Sequence, residues 1–109
     1  MIQRAISNLL SNAIRHGNPG STVTISLESH ANEVSLAVSN QGEGIEAEHL
    51  PRLFDRFYRV HASRSRQQGG TGLGLAIVRS IMTVHQGRVT VESELERVTT
   101  FRLVFPRAK

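Results

Sequence analysis

Four glycines within six residues, at positions 69, 70, 72 and 74, stand directly before an apolar run that is typical of a helix. Glycine lets the backbone take positive φ and lets a ligand approach where a Cβ would block it. The first N–H groups of the following helix have no intrahelical partner and lie at the positive end of the helix dipole. This arrangement is typical of an anion site, most often for phosphate. A flexible loop that merely allows the helix to begin is the alternative interpretation.

Two familiar kinds of phosphate-binding loop do not fit this stretch. A Walker loop requires a Lys-Ser or Lys-Thr pair after the glycines, and no such pair follows them here. A dinucleotide fingerprint requires a buried strand before the glycines, whereas residues 63–68 are all polar.

A second polar cluster lies on a predicted helix that runs from Gln3 to His16. Asn8, Asn12 and Arg15 fall within about 60° of arc on one face, at about 100° per residue. Asparagine is a poor helix former, so two of them in a helix interior favour a functional role over two solvated side chains. The apolar residues share another face: Ile2, Ala5, Ile6, Leu9, Leu10, Ala13 and Ile14.

Two hairpins and two further helices must position these residues. Alternating apolar residues predict strands at 23–28, 34–39, 88–92 and 98–105, with one apolar and one wet face in the first hairpin. A short helix is predicted from Glu46 to Phe54 despite Pro51, and a longer one from Leu73 to His85. The residues that the longer helix is expected to bury are Leu75, Ile77, Val78, Ile81, Met82 and Val84. The predicted fold class is α+β, a two-layer sandwich with one mostly antiparallel (mixed) sheet and helices on one face.

The composition sets limits on the class of protein. A chain of 109 residues predicts one domain, and the absence of cysteine excludes a disulfide framework and a thiolate metal site. No run approaches the roughly 18 apolar residues of a membrane span. The 13 Lys and Arg against 9 Asp and Glu give a net charge of +4, which favours anionic partners such as a nucleotide, an acidic protein face or nucleic acid.

Together these segments resemble the ATP-binding catalytic domain of sensor histidine kinases, whose Bergerat (GHKL) fold is shared with gyrase-type ATPases, Hsp90 and MutL. Residues 8–13 resemble the N box, residues 40–45 the first glycine box and residues 70–75 the second, and Phe54 and Phe57 stand where the F box stands. Any one box is a weak signal. Four boxes in the family's order and spacing, over nearly the whole chain, are a strong one.

The resemblance implies a site for ATP and Mg²⁺. Asn12 matches the asparagine that binds Mg²⁺ through its side-chain oxygen, and Asn8 beside it is a second candidate ligand. Arg15 matches a basic residue that reaches the phosphates and Arg59 an arginine that offsets charge during transfer, so both are predicted catalytic residues. Residues 55–70 match the lid over the triphosphate. The other implied ATP contacts are His16, Asn40, Gly42, Gly44, Ile45, Phe57, Tyr58, Gly70, Thr71, Gly72, Leu73, Gly74 and Leu75.

The chain departs from the family pattern at three places. Asn40 replaces the aspartate that reads adenine, which predicts weaker base recognition because the amide oxygen accepts a hydrogen bond but is uncharged. His16 stands where the family often has tyrosine. Residues 94–97 replace the usual glycines of the last hairpin turn and put the geometry of that turn in question.

The residue one turn before Asn12 separates a kinase from an ATPase. Gyrase-like ATPases carry there a glutamate that is the general base for water, whereas Asn8 cannot take a proton at neutral pH. The resemblance therefore implies transfer of the γ-phosphoryl group to an external nucleophile, a histidine on a separate dimerisation domain. An ATPase or an anti-sigma-factor type of Ser kinase with the same fold is the alternative. A basic nucleic-acid-binding domain is the alternative of another class and would need arginines interleaved with exposed aromatics.

The rest of a two-component sensor is expected outside these residues. None of the five histidines precedes the acidic residue of a phosphoacceptor motif, and the family usually has a strand pair upstream of Ile2. Residues 1–109 are therefore interpreted as the ATP-binding catalytic domain, a fragment, on the cytoplasmic side of a larger inner-membrane sensor. Residues 50–60 resemble the heavy-metal (copper/silver) branch of these kinases.

The partners implied by the resemblance are the protein's own dimerisation and phosphoacceptor domain and, through it, a cognate response regulator. Neither nucleic acid nor direct membrane contact is expected. An exposed sheet edge also predicts pairing or swapping with a second copy of the fragment, or marginal stability.

Overall fold

The computed structural model describes residues 2–55 and 74–107, and within them the predicted α+β fold is confirmed. Its elements, in chain order, are helix α1 (Ile2–His16), strand β1 (Thr24–Ser29), strand β2 (Glu33–Gln41), a 3₁₀ helix (Ala47–Arg52), helix α2 (Gly74–Val84), strand β3 (Arg88–Glu94) and strand β4 (Val98–Pro106). No helix among the described residues combines the length and the apolar character needed to cross a membrane.

The four described strands form one sheet in the order β1-β2-β4-β3, and all three pairings are antiparallel. The two predicted hairpins, β1–β2 and β3–β4, are confirmed. The long central pairing joins β2 to β4, and it places Val38 opposite Phe101 and Asn40 opposite Thr99. The first and second hairpins are therefore joined at the middle of the sheet.

The core lies between one face of this sheet and the two helices. Helix α1 packs on β2, helix α2 packs on β3 and β4, and the two helices pack against each other. The phenyl ring of Phe54 meets that of Phe101 edge to face, with centroids 6.1 Å apart. The buried cluster comprises Ala5, Leu9, Ala13, Val38, Leu53, Val78, Ile81, Met82, Phe101 and Leu103. Each large apolar side chain buried in this way stabilises the fold by about 1.5–3 kcal/mol.

Five apolar side chains that the periodicity placed in the core are exposed. The exposed fractions are 37% for Ile2, 71% for Ile14, 66% for Val84, 52% for Ile25 and 71% for Leu27. Ile25 and Leu27 lie on the helix-facing side of the sheet, opposite Val38 and Leu36. Neither helix makes extensive contact with β1. The period is right in these cases, but among the described residues no second layer extends far enough to cover them.

The segment around Pro51 forms a shorter helix than predicted. The chain makes a 3₁₀ helix over Ala47–Arg52 in place of the predicted helix from Glu46 to Phe54. Proline has no N–H to donate inside a helix, and 3₁₀ geometry is common in short pieces of this kind. Leu53, directly after the helix, is buried and ties the segment to the core.

Helix α2 ends in a Schellman motif whose left-handed residue is not glycine. Gln86 has φ of 63°, its N–H donates to the carbonyl of Thr83 at 3.1 Å, and the N–H of Gly87 donates to the carbonyl of Met82 at 2.8 Å. A Cβ on Gly87 would run into the carbonyl of Val104. Glycine is therefore required at position 87 because a side chain has no space there, whereas the left-handed conformation at position 86 is taken by glutamine.

Candidate functional site

The C-terminal end of α1 meets the end of β2 at a place where two backbones approach closely. The N–H of Asn18 donates to the carbonyl of Gln41 at 2.7 Å. A Cβ on Gly17 would lie 2.8 Å from the carbonyl oxygen of Ala13, and one on Gly42 would lie 2.7 Å from that of His16. Gly42, a predicted ATP contact, is therefore needed for close packing against the end of α1.

Asn40 lies on the inward face of β2 directly beside this junction. Its residue surface is 4% exposed, and its register partner Thr99 on β4 is 5% exposed. No hydrogen bond joins the Asn40 side chain to another described residue. A side-chain amide at this position has two donors and an acceptor that it could offer to a ligand at the open end of the sheet.

A chain of hydrogen bonds continues from Thr99 to the loop after β2. The hydroxyls of Thr99 and Ser93 are 2.8 Å apart, and the N–H of Ile45 donates to Ser93 Oγ at 2.8 Å. Gly44 takes a φ of 84°, and a Cβ there would lie 3.0 Å from Ser93 Oγ. The predicted loop residues Gly42, Gly44 and Ile45 are thus fixed by the second hairpin.

Sequence reasoning missed Ser93 and Thr99. The available signal was the strand period itself, because both residues take inward positions in strands whose other inward residues are apolar, such as Val91 and Phe101. Three neighbouring strands each place a polar residue inward at the same end of the sheet, namely Asn40, Thr99 and Ser93. This coincidence becomes visible only when the register is known.

The polar face of α1 lies against the start of α2. Asn8 donates from Nδ2 to the carbonyl oxygen of Gly74 at 3.3 Å, which leaves its side-chain oxygen for another partner. Asn8 and Asn12 are both partly exposed, and Arg15 is exposed in the last turn. Asn8 therefore lies beside the first residue of α2, and Asn12 follows it one turn later on α1.

Part of the predicted site lies outside the described residues. This applies to Phe57, Tyr58, Arg59, Gly70, Thr71, Gly72 and Leu73 and to most of the predicted lid over residues 55–70. Of the second glycine box, the structure describes Gly74, which is exposed with open space where a Cβ would stand, and Leu75, which is partly buried.

The described site residues form two groups. One group is Asn8 of α1 and Gly74 of α2, with Asn12 one turn further along α1. The other group is Asn40, Gly42, Gly44 and Ile45 at the end of the sheet. His16, between Arg15 and Gly17, places the end of α1 against the second group. A cavity of about 370 Å³ at the same end is lined by Thr24, Ser39, Gln41 and Glu96 and reaches the second group through Asn40. Since Thr24, Ser39 and Gln41 point to the face of the sheet away from the helices, most of this cavity lies apart from the predicted site.

The last hairpin turn, where the family's glycines are replaced, keeps a left-handed residue. Arg97 donates its N–H to the carbonyl of Glu94 at 3.1 Å, and Glu96 has φ of 63°. The N–H of Glu96 also donates to the carbonyl of Glu43 at 2.9 Å. The turn therefore retains its contact with the first glycine box although a glutamate occupies the strained position.

Comparison with known proteins agrees with this arrangement. The family model described as histidine kinase-, DNA gyrase B-, and HSP90-like ATPase matches residues 1–109. The chain is 52% identical over 106 residues to the sensor protein IrlS of Burkholderia pseudomallei. It is 50% identical over 107 residues to the probable sensor kinase SilS of Salmonella typhimurium and 49% identical over 106 residues to the sensor histidine kinase CusS of Escherichia coli K12.

These matches cover 97–98% of this chain but only 21–23% of each relative, so the chain spans about a fifth of their length.

Solved structures of histidine kinases have a similar fold. The mycobacterial sensor histidine kinase MprB superposes with a TM-score of 0.81 at 30% identity, over 94% of this chain and 68% of that one. Full-length ShkA in complex with AMPPNP superposes with a TM-score of 0.83 at 25% identity, over 99% of this chain and 22% of that one.

Proposed function

The chain belongs to the histidine kinase-, DNA gyrase B- and HSP90-like ATPases, and on that premise we propose that it binds Mg-ATP and supplies the γ-phosphoryl group to a histidine on a separate dimerisation domain. Its curated relatives are named as sensor kinases, and the part of them that it matches is the ATP-binding domain. ATP is the nucleotide supported by the AMPPNP complex of ShkA, and Mg²⁺ is proposed from the residues of α1.

The hydrogen bond from Asn8 to Gly74 is the observation that carries the choice of a kinase over an ATPase. A water-activating base would have to stand at this position and accept a proton. The residue is instead an amide that donates to a carbonyl at 3.3 Å. A carboxylate in its place would lose that hydrogen bond and repel the carbonyl oxygen. The helix is therefore suited to holding the nucleotide and not to activating water.

Separate residues are proposed to bind the metal, the phosphates and the base. Asn12 would hold Mg²⁺ through its side-chain oxygen, a neutral ligand that suits an ion already charge-balanced by a triphosphate. Arg15 and Arg59 would face the phosphates, and charge stabilisation by such groups accounts for most catalysis in phosphoryl transfer. Asn40 would accept a hydrogen bond from the amino group of adenine. The residues of the predicted lid keep their proposed roles on the strength of the family resemblance.

A titration with a matched control tests the nucleotide and metal assignments. The Asn12→Ala variant should lose the Mg²⁺ dependence of ATP binding while its unfolding curve stays close to that of the wild type. Asn32→Ala, in the exposed loop between β1 and β2, is the control and should bind as the wild type does. Equal Mg²⁺ dependence in all three proteins would exclude Asn12 as the ligand.

A phosphotransfer assay tests the reaction. The chain is mixed with a separately produced dimerisation domain and γ-labelled ATP, and label is expected on the acceptor histidine with little free phosphate. Rapid phosphate release that does not depend on the acceptor would favour the ATPase alternative. The nucleic-acid alternative has less support, because Arg88 and Arg102 on the open face of the sheet are paired with Glu33 and Glu92 at 3.0 Å.

We also propose that the parent protein is a copper- or silver-responsive sensor with this domain on the cytoplasmic side of the inner membrane, and that a response regulator acts downstream. The support is the resemblance of residues 50–60 to that branch and the identity of about half to SilS and CusS. The isolated chain should bind ATP equally well with and without Ag⁺, whereas the whole sensor should autophosphorylate more in its presence. If Ag⁺ changed ATP binding by the isolated chain at the concentrations that activate the whole sensor, the proposal that the metal acts outside this domain would be contradicted.

A further inference from the structure

Ser93 joins three separate segments of the chain at one end of the sheet. Its hydroxyl accepts a hydrogen bond from the N–H of Ile45 at 2.8 Å and lies 2.8 Å from the hydroxyl of Thr99. Both bonds are partly buried. Ile45 is 48 positions away in sequence. The Ser93 side chain thus links the loop after β2 to the inward face of the second hairpin.

Backbone hydrogen bonds and the packing of Ile45 on the core also hold the loop after β2. Gly44 is in the left-handed region with φ of 84°, which other residues avoid. The backbone bonds in this loop are those from Gly42 to Arg97 at 3.2 Å and from Glu96 to Glu43 at 2.9 Å. Without Ser93 the partly buried N–H of Ile45 loses its partner, and an unpaired buried donor is costly.

The two bonds also give the hydroxyl chain a direction. An oxygen that accepts a hydrogen bond becomes a better donor, because successive hydrogen bonds polarise one another. Either hydroxyl of this pair could be the donor, and the bond from Ile45 favours the arrangement in which Ser93 donates its proton to Thr99. The proton of the Thr99 hydroxyl is then left to be donated elsewhere, next to Asn40 across the β2–β4 pairing.

We propose that Ser93 is a positioning residue for base recognition: it holds the loop at Gly44 and Ile45 and makes the Thr99 hydroxyl a donor beside the acceptor of Asn40. This inference rests on the proposed ATP site and deepens it. A donor next to an acceptor matches the ring-nitrogen and amino edge of adenine. Guanine presents the opposite pattern, a carbonyl and a ring N–H.

The test compares Ser93→Ala with Ser93→Thr, which keeps the hydroxyl, and with Ser26→Ala, an exposed serine on β1. Three probes are titrated, Mg-ATP, Mg-GTP and inorganic tripolyphosphate with Mg²⁺. Ser93→Ala should weaken ATP binding roughly three- to tenfold, lower the preference for ATP over GTP and leave tripolyphosphate binding unchanged. Ser93→Thr should restore the preference, and Ser26→Ala should not alter it. An equal loss for ATP and tripolyphosphate, or no loss at all, overturns the proposal.

A measurement without nucleotide separates this inference from the proposed function. Amide hydrogen exchange at Ile45 should be at least about tenfold faster in Ser93→Ala than in the wild type, with core amides such as that of Leu103 unaffected. Unchanged exchange at Ile45 overturns the positioning role even if ATP binds. Faster exchange in a protein that binds no ATP would instead refute the nucleotide site while leaving the loop contact in place.

Discussion

Asn40 occupies the buried end of β2, and in the proposed site its neutral amide would make an ordinary hydrogen bond to the base where an aspartate would make a charge-assisted one. Hydrogen bonds to charged groups contribute about 1.5–3 kcal/mol and neutral ones about 0.5–1.5 kcal/mol. A difference of about 1 kcal/mol corresponds to roughly a fivefold change in affinity. Asn40→Asp should therefore bind ATP about fivefold more tightly and discriminate more strongly against GTP.

Titration of both nucleotides against both proteins checks this prediction at the residue scale. Asn32→Asp adds the same charge in the exposed loop between β1 and β2 and serves as the control for net charge. The cost of burying a carboxylate opposes the gain, so the decisive quantity is the ATP/GTP ratio and not the ATP affinity alone. If the ratio is the same for Asn40 and Asp at this position, the side chain does not read the base.

Helix α2 supplies the prediction at the scale of a single element. Gln86 holds the left-handed position of the Schellman motif at φ of 63°, a conformation that costs a residue other than glycine roughly 1–2 kcal/mol. Gln86→Gly removes that cost but gives the unfolded chain more freedom. The net expectation is a gain of about 0.5–1 kcal/mol in the free energy of unfolding, seen as a midpoint a few degrees higher in thermal denaturation.

His85→Gly is the matched control for this prediction, since His85 precedes the left-handed residue and has no positive φ. Glycine there should lower the stability by about 0.5–1 kcal/mol. A Gln86→Gly protein that melts below the wild type would show that the glutamine side chain contributes more than its backbone strain costs.

The strands and helices were predictable from the sequence because each depends on a local period. Alternation located β1 to β4, and the 3.6-residue period located α1 and α2. The same period could not tell which apolar residues would be covered: Ile14 and Leu27 fit the pattern and are exposed, while Ala76, which was not predicted, is buried. Coverage depends on how far the opposite layer extends, which is a property of the assembled fold.

The parts of the candidate site that lie close together in sequence were predictable, and the parts that are joined only by strand pairing were not. The amides of α1 and the glycines of the loop after β2 stand in contiguous motifs. Ser93 and Thr99 do not, since their role arises from the pairing of β4 with both β2 and β3. The left-handed Gln86 and Glu96 were likewise hidden, because neither residue type signals that conformation.

At the scale of the whole molecule, β1 is an end strand of the sheet that the described residues form, and its outer edge predicts self-association. All six residues of β1 are exposed, and the strand contains neither the lysine nor the proline that commonly protects an edge. His30 donates its N–H to the carbonyl of Glu33 at 2.8 Å. His30 and Glu33 are therefore a hydrogen-bonded pair, and such pairs alternate along an antiparallel ladder with pairs that make no hydrogen bond. By this alternation Ile25 and Leu27 direct their N–H and C=O groups away from β2.

An antiparallel pair of β1 strands related by a two-fold axis at Ser26 satisfies these groups. Ile25 of one copy then faces Leu27 of the other, both on the helix side of the sheet, and Thr24 faces Glu28 so that no like charges meet. Shifting the axis to Glu28 would place two carboxylates opposite each other. We therefore expect the chain to form a dimer through a continuous sheet in the Ser26 register.

Sedimentation of the chain at micromolar concentration tests the dimer. Leu27→Lys should shift the protein to the monomer mass, because it places a charge in the apolar seam. Leu95→Lys changes another exposed leucine, in the turn between β3 and β4, and should leave the mass at that of the wild type. A wild-type protein that is monomeric and thermally stable at these concentrations would show that the edge needs no partner.

The strand order determines how late during synthesis the candidate site can form. Strand β2 pairs with β1 and with β4, and β4 is synthesised much later. Fifty-seven positions separate Gln41 from its partner Val98. At a synthesis rate of roughly 5–20 residues per second, that interval lasts roughly 3–11 s. Throughout it the first hairpin has Leu36 and Val38 without their partners, and Asn40 faces no threonine. A nascent chain is thus a candidate for chaperone binding during this interval, and the proposed base-recognition site is among the last features to be completed.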